Sequence, residues 1–453
     1  MKTTLQNNNY DTMLEPSDWR FSASIVGLMK YLDYHDLDYE IDDDCIFYNS
    51  EYITEEKYLQ FVEERYGEEL HHKVIENILS NEEVSDEQVK MVNEKLVANT
   101  IMKKKFSKIK FDKLNKQEVL EGVNKNRNEI IKETFRSKSN MYANYSNTNQ
   151  LFNDNQDYCR LVGYCIDAGK KGKSTGFNFM TNTFVGTDVL EFDFIPFAFE
   201  GNREAFFIND NHSIRNLKIS NKILNEKILQ DLEGENKRKD ARQALFKGII
   251  ESSDFIDRDL EVIFKDIAKG YFETLYIRKE SIDIFKELTN ENIEYKSFCF
   301  SHKITDKYYI NIQKEVTESI LNNVLLDNLI ELFLKEKNRD YIVSQLIKIN
   351  VLIRRDKTMK NRLKGAYACA KKVSEVLQIN KLDSYKQKLT SSIIFKDYDR
   401  VCQILLQLSN YSGIEFSFVY DLYDDFEENK DLAYTFINAL SKKNQNSNEN
   451  KNN

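Results

Sequence analysis

Proline and glycine are scarce in this chain, and that scarcity most limits the folds open to it. The 453 residues include 2 Pro and 14 Gly. Both residue types interrupt regular structure and mark the tight turns that separate short strands. A chain of this length with so few of them favours long helices over a many-stranded sheet. We therefore predict an α+β protein in which helices dominate.

Hydrophobic periodicity divides the chain into three regions and a tail. The first region, residues 1–136, is predicted to be mostly helical, and the Asn- and Ser-rich segment 137–157 to be a linker or loop. A region that mixes strands and helices follows at 158–312. Residues 313–440 keep a helical apolar period throughout and are predicted to form a C-terminal helical bundle. The polar tail 441–453 is expected to be disordered.

Local signals place several elements in the first region. Ser17 is predicted to cap a helix over DWRFSASIVGLMKYL. Ala23 and Gly27, four residues apart, would let another element approach that helix closely. The alternation of apolar and polar residues in YEIDDDCIFYN predicts a strand, with a solvated acidic segment at residues 42–44. Ser85 and Gln88 fit a capping box at the start of a later helix.

Alternating apolar residues predict strands in the middle region. CRLVGYCI, VLEFDFIPFAFE and REAFFIN have this pattern. Further along, FETLYIR, SIDIFKELTN and IEYKSFCF indicate strand, helix and strand in that order.

The sequence argues against a membrane-spanning protein and against a secreted one. No uninterrupted apolar stretch approaches the roughly 18 residues that a membrane span needs. The first residues, MKTTLQNNNY, lack the apolar core of a signal peptide. The six cysteines are scattered without a disulfide framework, which suits a reducing cytosol. We expect a cytoplasmic protein.

Two patterns that carry chemistry in other proteins are incomplete here. The segment 169–175 (GKKGKST) ends like a phosphate-binding loop, but Asp167 stands where such a loop needs glycine. The residues after it, GFNFMTNTFVG, do not predict the helix that would face a phosphate. Glu191 and Asp193 would share one face of a strand, yet the lysine of a metal-dependent nuclease is missing from its usual place. We predict no catalytic residue, no metal and no cofactor, with a nuclease or nucleotide hydrolase as the alternative.

Positive charge is concentrated in one part of an otherwise acidic protein. The formal net charge is -9. Residues 344–373 nevertheless contain one acid, Asp356, among nine Lys and Arg. Two helices carrying such a stripe can neutralise phosphates without reading a base sequence. The alternative interpretation is an ordinary solvated face. The nine basic residues are Lys348, Arg354, Arg355, Lys357, Lys360, Arg362, Lys364, Lys371 and Lys372.

Three stretches, in order along the chain, carry a resemblance to a known family. They are 18–27 (DWRFSASIVG), 177–188 (FNFMTNTFVGTD, continuing through FDFIPFAFEGNREAFFINDN) and 398–440 (YDRVCQILLQL to TFINAL). Together they resemble the large subunit of type I CRISPR interference complexes (Cascade), the eighth Cas family, in the lineages of subtypes I-A and I-B. Related subunits often carry paired Cys-x-x-Cys motifs. This chain has only Cys159 and Cys165 there, which argues against a zinc site.

The resemblance implies a non-enzymatic subunit in antiviral defence. Such subunits help to recognise the short motif beside the target, support duplex opening and R-loop formation, and dock a helicase–nuclease. The implied partners are a guide RNA, the double-stranded target DNA with its displaced strand, and the other Cascade subunits. The family also suggests that, besides the full chain, the C-terminal bundle is made alone from an internal start, as a free small subunit.

The resemblance and the charge pattern together give candidate nucleic-acid contacts. The amides of Asn178 and Asn182 could pair with base edges or backbone, or bond locally in a turn. Loop lysines are predicted to contact the duplex or the guide: Lys170, Lys171 and Lys173. Residues of the basic stripe are predicted to contact the displaced strand: Arg354, Arg355, Arg362, Lys364, Lys371 and Lys372.

Overall fold

Helices dominate the structure, and the sheets are small, as the α+β prediction requires. The structure is a computed structural model. It describes residues 1–5, 9–139, 141–142, 151–152, 159–162, 188–199, 204–233, 258–266 and 271–441. Among the described helices, none combines the length and apolar character needed to cross a membrane. The chain divides into unit 1, Met1–Gly248 with Asp259–Tyr276, and unit 2, Ile249–Arg258 with Ile277–Asn453.

Unit 1 combines helices with two small sheets. Its described α-helices are α1 (Trp19–Tyr34), α2 (Glu55–Tyr66), α3 (His71–Leu79), α4 (Asp86–Leu96), α5 (Thr100–Phe106), α6 (Lys116–Ser139), α7 (Ile195–Ala198) and α8 (Ile214–Glu233). Its described strands are β1 (Lys2–Thr4), β2 (Thr12–Leu14), β3 (Glu40–Ile41), β4 (Ile46–Tyr48), β5 (Glu204–Asn209), β6 (Leu260–Asp266) and β7 (Phe272–Ile277).

Helix α1 begins one residue later than the capping prediction implied. Asp18, not Ser17, is the cap, and its Oδ1 accepts a hydrogen bond from the Arg20 backbone N at 2.8 Å. Ser17 is engaged elsewhere, because its hydroxyl accepts from the Met1 amino group at 2.8 Å. A side-chain acceptor at this position satisfies one of the free N–H groups of the first turn.

The predicted close approach at Gly27 is confirmed. Gly27 packs against the short 3-10 helix Leu190–Phe194, so closely that an added Cβ would lie 2.0 Å from the Phe194 carbonyl oxygen. Only a residue without a side chain allows the two backbones to meet at this distance. Helix α1 and the segment 190–198 therefore pack directly against each other within the apolar core of unit 1.

The strand predicted over VLEFDFIPFAFE is wrong. This segment forms the 3-10 helix Leu190–Phe194 followed by helix α7. Its carbonyl groups are satisfied by side chains rather than by a neighbouring strand: the hydroxyl of Tyr58 donates to the Asp193 carbonyl at 2.8 Å, and Lys30 Nζ donates to the Phe197 carbonyl at 2.8 Å. Apolar alternation reflects burial on both sides here, not a sheet.

The two sheets of unit 1 are antiparallel wherever the pairing is described. One has the strand order β1-β2-β4-β3, and the other has the order β5-β6-β7. The single strand predicted over YEIDDDCIFYN is a hairpin instead. Asp42 turns the chain by accepting hydrogen bonds from the backbone N of Asp44 at 2.9 Å and of Cys45 at 2.6 Å. The strand predicted over REAFFIN is confirmed as β5.

A second apolar cluster joins helices α3 to α6. The capping box of Ser85 and Gln88 at the start of α4 is confirmed, with both hydrogen bonds present. His72 is buried on the apolar face of α3, and its Nε2 lies 2.6 Å from Glu63 Oε1.

Unit 2 is a helical bundle with one hairpin. Its described α-helices are α9 (Lys279–Asn290), α10 (Ile312–Asn322), α11 (Asp327–Leu334), α12 (Asp340–Arg354), α13 (Met359–Val376), α14 (Ile379–Ile394), α15 (Tyr398–Ser412), α16 (Phe418–Asp424) and α17 (Phe426–Ala439). Strands β8 (Ser301–Thr305) and β9 (Tyr308–Asn311) pair antiparallel. The helix predicted over SIDIFKELTN and the strand over FETLYIR are confirmed. The strand predicted over IEYKSFCF is wrong, because Tyr295–Phe298 forms a 3-10 turn that buries Phe298.

Candidate nucleic-acid interface

The basic stripe of the sequence lies on helices α12 and α13 and the turn between them. Arg355 ends α12 in the left-handed conformation, with φ of 57°. Asp356, the one acid of the stripe, then shapes the turn: its Oδ1 accepts from the backbone N of Thr358 at 2.8 Å and of Met359 at 3.2 Å. The Thr358 hydroxyl also donates to Oδ1, at 2.6 Å, and this hydrogen bond is the main reason why the pKa of Asp356 is lowered. The acid is therefore a turn-forming residue at the start of α13.

Helix α13 has a small apolar face turned toward α17. Ala366, Ala370 and Val373 are buried, and their spacing of four and three residues places them on one side of the helix. Alanine at two of these positions allows the two helix axes to approach closely. The inward side of α13 is therefore fixed, and its opposite side is left to solvent.

The opposite side of α13 carries lysines around a shallow surface. Lys364, Ala368 and Lys372 are exposed and follow each other at intervals of four residues. Gly365 lies between them, and an added Cβ there would meet no atom within 4 Å. Tyr367 beside them is 50% exposed. We call Lys364, Gly365, Tyr367, Ala368 and Lys372 the lysine face.

The charges of the lysine face point outward. Within the described part of the chain, Lys364 and Lys372 form no ion pair, and neither does the exposed Arg355. Lys371 is half-buried, with its Nζ 3.3 Å from Ser441 Oγ and 5.4 Å from the centre of the Tyr367 ring. Ammonium groups without an ion-pair partner, beside an exposed aromatic ring, suit a nucleic-acid backbone with bases that can stack.

Arg354 and Arg362 hold the bundle together instead of pointing to solvent. The Arg354 side chain is 12% exposed, its Nη1 lies 2.7 Å from Glu428 Oε2, and its Nε lies 3.4 Å from Asp431 Oδ2. Arg362 donates to Asp356 Oδ2 at 2.7 Å and to Asn429 Oδ1 at 2.7 Å. The charge pattern of the sequence did not reveal the partners Glu428, Asn429 and Asp431, because they lie in α17.

Asp431 is the centre of a buried polar network behind the lysine face. It is fully buried, and its Oδ1 accepts from Asn350 Nδ2 at 3.0 Å. Asn350 also accepts from the Leu326 backbone N at 2.7 Å and donates to Asp327 at 3.0 Å. Burial raises the pKa of Asp431 to about 6. The network joins α11, α12 and α17 at fixed positions.

The remaining predicted contacts lie outside the described residues. These are Lys170, Lys171, Lys173, Asn178 and Asn182. Cys165 lies outside them too. Cys159 is described and buried, and burial raises the pKa of its thiol to about 11. A buried, protonated thiol is a poor zinc ligand, and the described residues contain no group of His, Cys, Asp and Glu that could hold a metal ion.

Glu191 and Asp193, the two acidic residues of the nuclease alternative, contact different residues in the structure. Glu191 is buried and accepts from the Tyr48 hydroxyl at 2.7 Å, with Lys2 Nζ at 2.6 Å. Asp193 is buried against Arg160, whose Nη1 lies 3.1 Å from its Oδ1. The sequence predicted that these two carboxylates share one face of a strand. This prediction is wrong, because the segment is a 3-10 helix. Glu191 is paired with Lys2, and Asp193 is paired with Arg160, which also contacts Asp188.

Two features of the sequence could have predicted the lysine face: a four-residue spacing and a glycine within a helix. Lys364, Ala368 and Lys372 recur every four residues, which predicts one helix face. Gly365 stands in the middle of a helix, where glycine is unfavourable unless something approaches closely. The predicted stripe included both lysines of the face but not Gly365, Tyr367 or Ala368.

Comparison with protein families gives a match over nearly the whole chain. The family model described as CRISPR-associated protein Csx8 matches residues 10–440. Neither the curated proteins nor the solved structures contain a significant match. The matched span includes α1, the segment 190–198 and the lysine face.

Proposed function

Since the chain belongs to the Csx8 family of CRISPR-associated proteins, we propose that it is the non-catalytic large subunit of an RNA-guided type I interference complex. In this role it assists recognition of the motif beside the target, stabilises the R-loop and helps to recruit the helicase–nuclease. Its partners are the guide RNA, the target DNA and the other subunits of the complex. Base pairing with the guide reads the target sequence, so the protein needs only backbone contacts along the displaced strand.

The lysine face is the observation that carries this proposal. Lys364 and Lys372 are eight residues apart, which corresponds to about 12 Å along the helix. Gly365 and Ala368 between them leave a low surface on which a strand can lie close to the helix. Tyr367 offers a ring on which a base can stack, an interaction that tolerates any base. These features support sequence-independent binding of a single strand.

Reversing the two lysine charges is expected to weaken single-strand binding. In the full chain with Lys364→Glu and Lys372→Glu, we expect affinity for single-stranded DNA to fall by about tenfold or more. The slope of log affinity against log salt should decrease by about 0.7 for each lost phosphate contact. Fluorescence anisotropy with labelled oligonucleotides of several sequences, at four salt concentrations, measures both quantities.

A matched control keeps the charge change but moves it off the face. Lys335 and Lys337 are exposed and lie in the same unit. Lys335→Glu with Lys337→Glu should leave affinity and salt slope near those of the unmodified chain. Equal losses in both double variants would mean that net charge, not the lysine face, governs binding.

Gly365→Ala is expected to raise the stability of the chain and to lower its affinity for single-stranded DNA. Alanine in a helix interior is more favourable than glycine by roughly 0.5–1 kcal/mol, and no atom of the chain obstructs the new methyl group. The free energy of unfolding, measured with denaturant, should therefore rise by that amount. Affinity for single-stranded DNA should fall, because the methyl group raises the surface on which the strand lies. A gain in stability with unchanged affinity would remove Gly365 from the interface.

Purification from the native host tests the assembly itself. A tagged full chain should bring with it a short RNA with one recurring 5′ sequence and a repeated backbone subunit. Sequencing of the RNA and mass spectrometry of the proteins identify both. Recovery of the chain without RNA or partners would contradict the proposal and favour the enzyme alternative.

A further inference from the structure

A cleft of about 500 Å³ lies within unit 2, between α9 and the turn that joins α12 to α13. This volume is in the range of small-molecule sites. The cleft has an apolar floor, which includes the buried side chains of Ile284 and Val351. Its two walls carry opposite charges.

The acidic wall belongs to one face of α9. Glu280, Asp283 and Glu287 line the cleft, and their spacing of three and four residues places them side by side. In the described part of the chain, Glu280 and Asp283 form no ion pair with the facing wall. Ionised carboxylates only accept hydrogen bonds, so this wall selects a ligand edge made of donors.

The basic wall belongs to the turn and the start of α13. Arg355 and Lys357 line the cleft and are exposed. Asp356 lies between them and also lines the cleft, but its carboxylate is engaged by the Thr358 backbone N and by Arg362. Lys360 also lines it and forms an ion pair with Glu291, which follows α9, so the two walls are bridged at that point. Within the described residues, Arg355 and Lys357 form no ion pair with the acidic wall. A guanidinium beside ammonium groups is suited to a phosphate.

We propose that this cleft binds one guanine nucleotide. The base lies on the apolar floor between the walls, and its N1–H and N2–H groups donate to Glu280 and Asp283. The phosphate lies against Arg355 and Lys357. Guanine is selected because it presents two adjacent donors on one edge, whereas adenine presents a donor beside an acceptor, and an acceptor facing a carboxylate is repelled. The nucleotide is either free or a base turned out of a strand.

Four ligands test the two walls separately on the purified full chain. Isothermal titration calorimetry with GMP should show binding. AMP should bind at least about fivefold more weakly because its edge mismatches the carboxylates, and IMP, which lacks the 2-amino group, should lie between them. Guanosine, which lacks the phosphate, should also bind at least about fivefold more weakly. Equal affinities for GMP and AMP, or no heat with GMP at millimolar concentration, would overturn the proposal.

A double variant tests the acidic wall at nearly constant shape. Glu280→Gln with Asp283→Asn should reduce GMP affinity by at least about fivefold and should remove the preference over AMP. Both positions are exposed, so the melting temperature should stay close to that of the unmodified chain. Glu315→Gln, an exposed change on α10 outside the cleft, should leave GMP binding intact. GMP affinity that survives in the double variant would refute the assignment.

Competition identifies the source of the nucleotide. Displacement of GMP by a guanine-containing single strand, but not by the same strand with adenine, indicates a base within a strand. Retention of GMP against both strands indicates a free nucleotide. The proposal does not rest on the interference-complex role, since the assay uses the chain alone and the lysine face lies outside the acidic wall that it tests.

Discussion

Gly27→Ala is expected to destabilise unit 1 by about 3 kcal/mol or more, because overpacking a rigid core site is strongly unfavourable. The added methyl carbon would lie 2.0 Å from the carbonyl oxygen of Phe194 and 2.8 Å from its carbonyl carbon. These are backbone atoms, so no side-chain rotation can relieve the clash. Helix α1 or the segment 190–198 must move, and either movement opens the aromatic core around Tyr31, Tyr58 and Phe197.

Denaturant unfolding monitored by the fluorescence of Trp19 measures this loss. The chain has one tryptophan, and Trp19 is buried in unit 1 at the start of α1. Gly122→Ala is the matched control, since the nearest atoms to its added Cβ are ring carbons of Phe106, the closest at 2.9 Å, and not backbone atoms. The control should therefore lose clearly less stability. A Gly27 variant within about 1 kcal/mol of the unmodified chain would contradict the packing described for α1.

Arg160→Met is expected to lower the free energy of unfolding by about 3–5 kcal/mol at neutral pH, as the loss of one partner from a buried ion pair does. Arg160 is 2% exposed, and its Nε lies 2.6 Å from Asp188 Oδ2 while its Nη1 lies 3.1 Å from Asp193 Oδ1. Removing the guanidinium leaves two buried carboxylates without a counter-charge. Lys113→Met, which removes an exposed pair with Asp86, is the control and should change stability by less than about 1 kcal/mol.

The difference between the Arg160 variant and the unmodified chain should shrink as the pH falls. Burial already raises the pKa of Asp188 to about 6 with Arg160 present, and burial also raises the pKa of Asp193. Without the cation both pKa values should rise further. A carboxyl group whose pKa is higher in the folded chain than in the unfolded chain destabilises the fold as pH rises through that interval. Unfolding at pH 7.5 and pH 5 measures the effect, and a constant or growing difference would contradict it.

Local sequence signals predicted the elements whose causes are local. The capping box of Ser85 and Gln88 depends on residues within one helical turn, and the pattern was correct. The close approach at Gly27 was predicted from two small residues one turn apart. The helical character of residues 313–440 followed from an apolar period that neighbouring residues share.

Contacts with residues that are distant in the sequence explain what the local patterns did not predict. The segment 190–198 alternates like a strand, but Tyr58, Lys30 and other side chains from distant helices satisfy its carbonyl groups. Arg354 belongs to a basic stripe in the sequence, yet its partner Glu428 is 74 residues away. A one-dimensional charge count cannot show that Glu428 removes Arg354 from the surface. The lysines without such partners are the ones that remain as candidate contacts.

The packing of α1 against segment 190–198 also sets the order of events during synthesis. Lys30 and Phe197, which are hydrogen-bonded, are separated by 167 residues. At a ribosomal rate of about 5–20 residues per second, roughly ten to thirty seconds pass before Phe197 follows Lys30 out of the peptidyl-transferase centre. Throughout that interval the apolar side of α1, which carries Ile25, Leu28 and Leu32, has no native partner from this segment. We therefore expect chaperones to bind the nascent chain at its first helix, and we expect aggregation during rapid overexpression to begin there.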